Sequence, residues 1–335
     1  MTKKTIVDLF CGCGGLSYGF INAGYEVLLG IDNEPKALET FKKNHKNSPV
    51  ICGDISKIGK KEIQTITRQS KIDVLVGGPP CQGVSLSGHR LKEDSRNKLF
   101  LSYLRILSEL KPEAFVMENV PGLIGLFKGE LKDILLEKFD EYGYKVSYKI
   151  LTAADYGVPQ TRKRVFFVGL RNGKEFEFPD PFNENRITCF EALSDLPEYS
   201  VENGNSYTTK ASSKYQNAMR SNSEGIFNHE ITNHSDQTKQ IISLVPDGGN
   251  YKNLPPEFRN TRKVNIAWTR LNSQKPSLTI DTGHRHHFHY EFDRIPTVRE
   301  SARIQSFPDN FIFLGNKTSQ YRQVGNAIPT LSSLD

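Results

Sequence analysis

The feature that most constrains the fold is the alternation of short apolar runs with longer amphipathic stretches between residues 5 and 170. β-Branched and aromatic residues fill the runs and turn residues bound them, as is typical of buried strands. Between the runs, apolar residues recur at helical spacing, most clearly over 97–110 and 129–144. This alternation predicts an α/β fold with a doubly wound, mostly parallel sheet. The predicted strands are TIVDLF, EVLLGID, VICGDI, IDVLVGG, AFVMENV, YKVSYKIL and RVFFVGL.

The composition and the periodicity of the sequence change at about residue 171. From there to 290 the chain is rich in Asn, Ser, Thr, Lys and Pro and shows few clear periods, which indicates long loops. Ordered patterns return in TVRESARIQSFPDNF and YRQVGNAIPT. We therefore predict a main domain over 1–170 plus 291–335 and a second, smaller irregular domain over 171–290. Loops on a rigid scaffold usually carry recognition rather than chemistry.

Composition places the chain among ordinary globular proteins. Hydrophobic residues make up 37% and charged residues 24%, and no apolar run reaches the roughly 20 residues of a membrane span. The start MTKKTIVDLF lacks the apolar core of a secretory signal, so we expect a cytoplasmic protein. Five scattered cysteines without a CxxC pair argue against a disulfide framework and a structural zinc site. The net charge of +6 favours a polyanionic partner only weakly, since no block of like charges accompanies it.

The first strand runs directly into a glycine-rich loop, DLFCGCGGLSYGF. Gly12, Gly14 and Gly15 let a ligand approach the backbone at the start of a helix. Asp32 ends the second strand, where a carboxylate can accept two ribose hydroxyls, and Asp54 follows the third, where it can accept an adenine amino group. The spacing is neither GxGxxG nor GxxxxGK[ST], which favours S-adenosylmethionine over NAD or ATP. The alternative is that each acid only caps a loop.

Reactive side chains also follow the fourth and fifth strands. Cys81 lies in GGPPCQGVSLSG, on a turn stiffened by two prolines, and Glu118 lies in VMENV. Neighbouring strands of an open sheet end at one edge, so a nucleophile and a proton donor with a raised pKa are expected to meet there. Arg162 and Arg164 alternate in QTRKR, which would place both guanidinium groups on one face. The alternatives are a small buried cysteine and a glutamate that belongs to a helix cap.

Seven stretches together resemble the ordered motifs of the cytosine carbon-5 DNA methyltransferases of bacterial restriction-modification systems. They are DLFCGCGG, GGPPCQGVSLSG, EDSRNKLF, MENV, DYGVPQTRKR, TVRESARIQSFPDNF and QVGNAIP. The Pro-Cys, Glu-Asn-Val and Gln-x-Arg-x-Arg elements in combination are highly specific. The resemblance implies a Rossmann-like, S-adenosylmethionine-dependent methyltransferase domain over 1–170 plus 291–335, and a target-recognition domain over 171–290.

The resemblance also assigns roles to individual positions. Cys81 corresponds to the nucleophile, Glu118 to the acid at the base ring nitrogen, and Arg162 and Arg164 to residues near the target base. The loop from Ser85 to Asn97 is the candidate to close over the base. Residues expected to contact DNA or the flipped base are Ser85, Ser87, Arg90, Arg96 and Gln160. Positions that correspond to cofactor contacts are Phe10, Gly12, Gly14, Gly15, Asp32, Asp54, Ile55, Gly78, Pro80, Leu99, Asn326 and Ile328.

The implied reaction explains why these residue types are needed. Carbon 5 of cytosine is a poor nucleophile, so the Cys81 thiolate first adds to carbon 6 while Glu118 protonates or hydrogen-bonds ring nitrogen 3. Carbon 5 then takes the methyl group, and the base must first be flipped out of the duplex. The implied partners are double-stranded DNA and, functionally, a restriction endonuclease. We expect a monomer without membrane association, in the cytoplasm and on the nucleoid through DNA.

Two features depart from the family pattern. Asp32 stands where the family often has Glu, and Asn33 rather than a bulky residue follows it, which puts adenine packing on that side in question. After GNAIPTLSS the family usually continues a helix toward the cofactor, whereas this sequence stops at Asp335. Either the segment is naturally short or it is clipped, which puts the affinity for the cofactor in question.

Four histidines in GHRHHFHYEF raise the question of a metal site. Along a strand His284 and His286 would point one way and His287 and His289 the other, so they would not converge on one ion. We therefore predict no metal, and a polar strand or DNA-contacting loop of the second domain instead.

Three other functions compete with DNA methylation. An RNA-modifying enzyme of the same chemistry is disfavoured because the Cys-Phe-Thr element of the tRNA-acting branch is missing and the second domain is long. An inactive DNA-binding relative is disfavoured because Cys81 and Glu118 are both present. A nicotinamide oxidoreductase is disfavoured by the missing GxGxxG.

Overall fold

The computed structural model describes residues 3–80, 98–181, 186–259, 268–282 and 287–330. The chain divides into two compact units, each built from two segments. The first unit consists of Met1–Thr152 and Lys163–Asp180, and the second of Ala153–Arg162 and Pro181–Asp335.

A seven-stranded sheet forms the centre of the first unit. Its strands are β1 (Thr5–Leu9), β2 (Glu26–Asp32), β3 (Val50–Cys52), β4 (Val74–Gly77), β5 (Ala114–Asn119), β6 (Lys145–Thr152) and β7 (Lys163–Leu170). They lie in the order β3-β2-β1-β4-β5-β7-β6. β1 to β5 are parallel to one another, whereas β7 is antiparallel to both β5 and β6. The predicted mostly parallel α/β sheet is confirmed, and all seven strands coincide with the seven apolar runs of the sequence.

Five helices among the described residues of this unit cover the two faces of the sheet. They are α1 (Gly15–Asn22), α2 (Pro35–Asn44), α3 (Lys60–Thr67), α4 (Lys98–Leu110) and α5 (Glu130–Glu141). Successive strand residues point to opposite faces, so one apolar cluster joins one side of the strands to α1 and α2, and the other joins the opposite side to α3, α4 and α5. Because both faces are covered, the central strands β1, β2 and β4 are nearly continuous buried runs rather than alternating ones.

The parallel strands all end at one edge of the sheet. The residues that follow β1, β2, β4 and β5 therefore come together there, which is where ligands bind in open α/β sheets. The register pairs Leu9 with Gly77 and Gly77 with Met117, so the loops after these three strands start at the same level. This edge carries most of the residues expected to form the site.

The second unit has short elements joined by long irregular segments. They are α6 (Cys189–Leu193), α7 (Lys214–Arg220), α8 (Asp236–Ser243), β8 (Thr269–Arg270), β9 (His287–Phe288), α9 (Val298–Ile304) and α10 (Lys317–Asn326). Every residue of α9 is buried, including Arg299, Glu300 and Arg303. Arg303 binds Asp195 and Asp309, each at 2.6 Å, and Arg294 binds Glu300 through two hydrogen bonds of 2.8 Å. Buried ion pairs thus accompany apolar packing in this unit.

The compact units do not follow the predicted domain boundaries. The sequence assigns 291–335 to the main domain, whereas α9 and α10 pack within the second unit together with 186–282. The cause is the buried polar network, since Arg303 reaches the carbonyl oxygen of Ala192 and the carboxylate of Asp195. The functional division into a catalytic and a target-recognition part is a separate matter and stays a prediction. None of the described helices is both long and apolar enough to cross a membrane.

Candidate active site

The loop after β1 has a backbone conformation that lets a ligand come close to the main chain. Phe10, Gly12 and Gly14 all adopt positive φ, at 62°, 52° and 93°. The left-handed conformation is costly for a residue with a side chain, so Phe10 is held there by its surroundings. The loop closes on itself through a 2.8 Å hydrogen bond from Gly14 N to the Cys11 carbonyl, and α1 begins at Gly15. The predicted glycine loop is therefore present.

Asp32 binds this loop from the end of β2. Its Oδ2 accepts a 2.8 Å hydrogen bond from Gly12 N, and its Oδ1 accepts one of 2.9 Å from Glu34 N. Each carboxylate oxygen has a second lone pair, so the group can still accept hydroxyls from a ligand. Asp32 thus lies beside the glycine loop, where the sequence placed a ribose acceptor.

Asp54 lies after β3 and caps a short 3-10 turn over Ile55–Lys57. Its Oδ1 accepts a 3.0 Å hydrogen bond from Ser56 N, and its Oδ2 lies 2.9 Å from the Lys98 ammonium. These hydrogen bonds, that from Lys98 first, hold the pKa of the Asp54 carboxyl well below its usual range. The group is therefore a charged hydrogen-bond acceptor at neutral pH.

Apolar residues of the proposed cofactor site belong to the core of the first unit. Phe10, Ile55 and Leu99 all belong to or pack against the same core cluster of the first unit. An adenine needs an apolar surface for its faces and acceptors for its amino group, and this region has both. Of the residues expected to contact the cofactor, those in the first unit come from the ends of β1, β2, β3 and β4 and from the start of α4.

Glu118 and Arg164 form an ion pair at the end of β5. Arg164 Nε lies 2.7 Å from Glu118 Oε1, with side-chain exposures of 18% and 12%, so the pair is largely shielded from water. A Cβ at Gly78 would lie only 3.0 Å from Glu118 Oε2, so the carboxylate packs directly against that glycine backbone. The ion pair thus fixes the orientation of the Glu118 side chain at the end of β5.

Asn119 connects this ion pair to the turn that precedes Cys81. Its Nδ2 donates a 2.8 Å hydrogen bond to the Pro79 carbonyl, and its Oδ1 accepts one of 2.9 Å from Val120 N. Asn119 is 4% exposed, so both bonds are protected from solvent. The amide of Asn119 therefore fixes the end of β4 relative to the end of β5, the two strand ends that carry the predicted nucleophile and acid.

The structure gives Arg162 and Gln160 hydrogen-bond partners that were not predicted from the sequence. The guanidinium of Arg162 donates to the carbonyls of Ile280 and Gly325, at 3.2 and 3.1 Å, within the second unit. Arg162 thus has different partners from Arg164, which pairs with Glu118, and it precedes β7, which begins at Lys163. That both guanidinium groups lie on one face stays a prediction.

Gln160 is fully buried rather than available to DNA. Its amide donates to Ile304 O and Gln305 Oε1 and accepts from Ile280 N, at 3.0 to 3.2 Å. The expected role of Gln160 as a DNA or base contact is therefore corrected to a structural one.

The other predicted residues fall in two groups. Asn326, the last residue of α10, and Ile328 belong to the second unit. His289 is buried in that unit, and its Nδ1 accepts hydrogen bonds from Glu291 N and Phe292 N. The remaining predicted residues lie outside the described residues; they are Cys81, Ser85, Ser87, Arg90, Arg96, His284 and His286.

The sequence reading missed two buried groups beneath the glycine loop. Asp8, 1% exposed, accepts a 2.6 Å hydrogen bond from Ser17 Oγ and so ties β1 to α1. His45 stacks on Phe41 with ring centroids 4.1 Å apart, and a Cβ on Gly14 would lie 2.3 Å from its Cε1. An Asp inside an apolar strand and a His after a helix were the available indications in the sequence.

A parallel sheet whose strand ends carry a glycine loop, two acceptor carboxylates and a shielded Glu–Arg pair defines a Rossmann-like methyltransferase. The model of the C-5 cytosine-specific DNA methylases matches residues 4–332, so the chain belongs to that family. The family is one of enzymes, and its members use S-adenosylmethionine.

Similar proteins span nearly the whole chain. The Type II methyltransferase M1.HphI of Haemophilus parahaemolyticus is 37% identical over 330 residues, which are 98% of this chain and 84% of that protein. M.DdeI of Desulfomicrobium norvegicum is 37% identical over 357 residues, 97% and 86% of the two chains. Among solved structures, a candidate DNA modification methyltransferase from an E. coli prophage superposes with a TM-score of 0.79 at 26% identity, covering 99% and 97%. Dnmt2 of Spodoptera frugiperda, with a TM-score of 0.65 at 16% identity over 98% and 96%, shares the fold.

Proposed function

We propose that this chain transfers a methyl group from S-adenosylmethionine to carbon 5 of a flipped-out cytosine in a specific duplex DNA sequence, as part of a restriction-modification system. The observation that carries the proposal is the arrangement at the end of β5. Glu118 is paired with Arg164 there, and Asn119 holds the carbonyl of Pro79, two residues before Cys81. Family membership supports the substrate and the cofactor.

The described residues fit the cofactor. Asp32 is the candidate acceptor for the ribose hydroxyls and Asp54 for the adenine amino group, while Phe10, Ile55 and Leu99 supply apolar surface. A Cβ on Gly12 would meet nothing within 4 Å, so the loop has open space on that side. When bound, S-adenosylmethionine supplies an electrophilic methyl group on sulfur. Residues Gly15, Gly78, Pro80, Asn326 and Ile328 complete the proposed cofactor contacts.

Cys81 and Glu118 carry the proposed chemistry on the base. The Cys81 thiolate adds to carbon 6, and the electron pair of the carbon 5–carbon 6 bond moves toward ring nitrogen 3, which takes a proton from or shares one with Glu118. Carbon 5 then forms a bond to the methyl carbon while the methyl–sulfur bond breaks, and the electron pair of that bond stays on sulfur, so that S-adenosylhomocysteine leaves. Removal of the proton from carbon 5 by a base expels the Cys81 thiolate and restores the aromatic ring, and nitrogen 3 gives its proton back.

Arg164 and Arg162 have different parts in this proposal. Arg164 fixes the orientation of the Glu118 carboxylate through its 2.7 Å contact and lies within reach of a base held there. Arg162 binds the carbonyls of Ile280 and Gly325 and thereby positions Asn326, the next residue. We therefore assign Arg162 a positioning role instead of a contact with the base.

Recognition of DNA is proposed to divide between two parts of the chain. Ser85, Ser87, Arg90 and Arg96 belong to the loop proposed to close over the flipped base, and the loop lies outside the described residues. Side chains from 171–290 are proposed to read the sequence in the major groove, since base edges rather than phosphates carry sequence information. The protein is proposed to act as a cytoplasmic monomer on the nucleoid.

Methyl transfer from labelled S-adenosylmethionine tests the substrate. We expect label in duplex DNA at one short sequence, and bisulfite sequencing of that DNA gives the modified cytosine. Transfer to tRNA but not to duplex DNA would overturn the assignment. If a restriction endonuclease is the functional partner, DNA modified by this protein should resist one that cuts the same sequence.

A fluorine at carbon 5 of the target cytosine tests the covalent step. The leaving proton is then absent, so the adduct should persist and migrate as a protein–DNA complex in denaturing gels. Cys81→Ser should form no such complex while still binding the duplex, and Glu118→Gln should form it far more slowly. Recovery of only free wild-type protein would count against the adduct, and a trapped Cys81→Ser complex would eliminate Cys81 as nucleophile.

A further inference from the structure

Three charged residues of α4 contact the segment of residues 54–60, which follows β3. Lys98, Arg105 and Glu109 are about two and three helical turns apart and so lie along one side of the helix. Lys98 Nζ lies 2.9 Å from Asp54 Oδ2, and Glu109 Oε2 accepts a 3.1 Å hydrogen bond from Lys60 N. The side of α4 thus holds the segment at its first and last residue.

Arg105 holds the middle of the same segment. Its Nη2 donates to the carbonyls of Ile55 and Ile58, at 3.1 and 2.7 Å, and its Nη1 binds Glu109 at 3.0 Å. Both isoleucine side chains are 4% exposed in the core below. A guanidinium is a rigid, planar donor, so two carbonyls bound to one nitrogen fix the turn between them in one shape. An Arg–Glu pair formed only for surface stability would not need these carbonyls.

The same contacts fix the Asp54 carboxylate. One of its oxygens accepts from the Ser56 backbone and the other faces the Lys98 ammonium, so the group can neither rotate freely nor take up a proton near neutral pH. Each oxygen keeps one more lone pair for a ligand. A fixed carboxylate attracts an N–H and repels a carbonyl oxygen at the same position.

We propose that Lys98 and Arg105 are positioning residues that make the site select a 6-aminopurine over a 6-oxopurine. They do so by holding Asp54 and the turn of residues 55–58 against α4. The inference rests on the proposed function in one respect, the assignment of Asp54 to the adenine amino group. A site built to bind a particular N–H rejects an analogue that lacks it, because its own polar group is then left unpaired.

Calorimetric titration of the full chain with S-adenosylhomocysteine and S-inosylhomocysteine tests the proposal. The wild type should prefer the adenosyl compound by about 100-fold. Lys98→Met and Arg105→Gln should each reduce that preference by about 10-fold, mainly by weakening adenosyl binding. In turnover assays of the two variants, the fold-increase in KM for S-adenosylmethionine should exceed the fold-decrease in kcat.

Matched controls are Lys138→Met, which removes a lysine paired with Glu141 at 2.6 Å, and Arg171→Gln, which removes an arginine bound to the Lys111 carbonyl. Both controls should keep the wild-type preference.

Asp54→Asn separates this proposal from the one it rests on. If Asp54→Asn keeps the preference, or if the wild type binds neither compound, the proposed cofactor site is wrong. If Asp54→Asn loses the preference while Lys98→Met and Arg105→Gln retain it, only the positioning role is overturned. Should Arg105→Gln not fold, Arg105→Lys replaces it, because a lysine keeps the charge but does not reproduce the planar fork. A lower melting temperature with unchanged preference would also contradict the proposal.

Discussion

Gly12 and Gly14 lie in one loop but need to be glycine for different physical reasons. A Cβ at Gly14 would lie 2.3 Å from His45 Cε1 and 2.8 Å from Phe41 Cδ2, whereas a Cβ at Gly12 would meet no protein atom within 4 Å. Both residues have positive φ. Substitution at Gly14 therefore disturbs the protein core, while substitution at Gly12 places a methyl group in the space proposed for the cofactor.

Alanine at these two positions should separate stability from binding. Gly14→Ala is expected to lower the free energy of unfolding by about 3 kcal/mol, through strain and the clash with His45. Gly12→Ala is expected to cost about 1 kcal/mol for the left-handed conformation and to weaken S-adenosylhomocysteine binding at least about 10-fold. Chemical denaturation and calorimetry measure the two effects. Equal stability losses, or unchanged binding by Gly12→Ala, would contradict the assignment.

The buried carboxyl of Asp8 should make stability depend on pH. Burial raises its pKa to about 7, despite the hydrogen bond from Ser17. Because this value lies above the ordinary 3.8, the folded protein keeps a proton on Asp8 between about pH 4 and pH 7 that the unfolded chain has lost. The contribution of Asp8 to the free energy of unfolding is therefore lost as pH rises from about 4 to about 7.

Asp8→Asn tests this sign, because an amide has no charge to bury at any of these pH values. Relative to the wild type, the variant should gain stability between pH 4 and pH 7, by at most about 4 kcal/mol since each pKa unit is about 1.4 kcal/mol. Urea denaturation of both proteins across this range measures the difference. Parallel stability curves would show that Asp8 does not titrate as its burial implies.

At the level of elements, the strands of the first unit were predictable and their order was not. The central strands are runs of buried apolar residues, and the edge strands β3 and β6 are short apolar or β-branched runs bounded by turn residues, so local composition identifies them. β7 lies between β5 and β6 in the sheet, although it follows both in the sequence. This position depends on which strands pair across long separations in sequence, and the residues around Arg164 and Phe167 show no local pattern that specifies the pairing. The short elements of the second unit are held by side-chain hydrogen bonds, which leave no periodicity to read.

The position of a site residue was predictable where the residue lies at the end of a strand. Its hydrogen-bond partners were not predictable where they are backbone carbonyl oxygens far away in the sequence. Asp32, Asp54 and Glu118 lie at strand ends, as expected from their place in the sequence. The partners of Arg162 and Arg105 are carbonyl oxygens, and every residue has a carbonyl oxygen. Their choice is therefore a property of the folded chain alone.

The buried arginine of α9 should stabilise the protein more than an exposed one with the same contact distance. Arg303 binds Asp195 at 2.6 Å with no exposure, and Arg186 binds Asp155 at 2.6 Å with 48% of its side chain exposed. Arg303→Met removes the arginine that two buried carboxylates, Asp195 and Asp309, share, and should cost about 3–5 kcal/mol. Arg186→Met should cost at most about 1 kcal/mol. Thermal denaturation compares them, and similar losses would show that burial does not decide the effect.

At the scale of the whole molecule, the two units are stabilised by different means. Two apolar clusters on opposite faces of a sheet hold the first unit, and ion pairs buried around α9 add to apolar packing in the second. Polar networks of this kind restrict how the segments can pack, because a buried carboxylate is stable only where an arginine pairs with it. The second unit can therefore keep one structure with little regular secondary structure.

Net charge limits how the protein can bind DNA. The chain carries 44 basic and 38 acidic residues, an excess of six that is spread along the sequence. If about five phosphates are neutralised in the complex, affinity should fall about 500-fold between 50 and 200 mM salt, because each neutralised phosphate releases counterions. The preference for the recognised sequence over other duplexes should change far less, since base contacts rather than phosphate contacts provide it. Fluorescence anisotropy with specific and unrelated duplexes at several salt concentrations measures both quantities. Affinity that does not change with salt would refute electrostatic binding to the backbone, and a preference that falls as steeply as the affinity would refute readout of base edges.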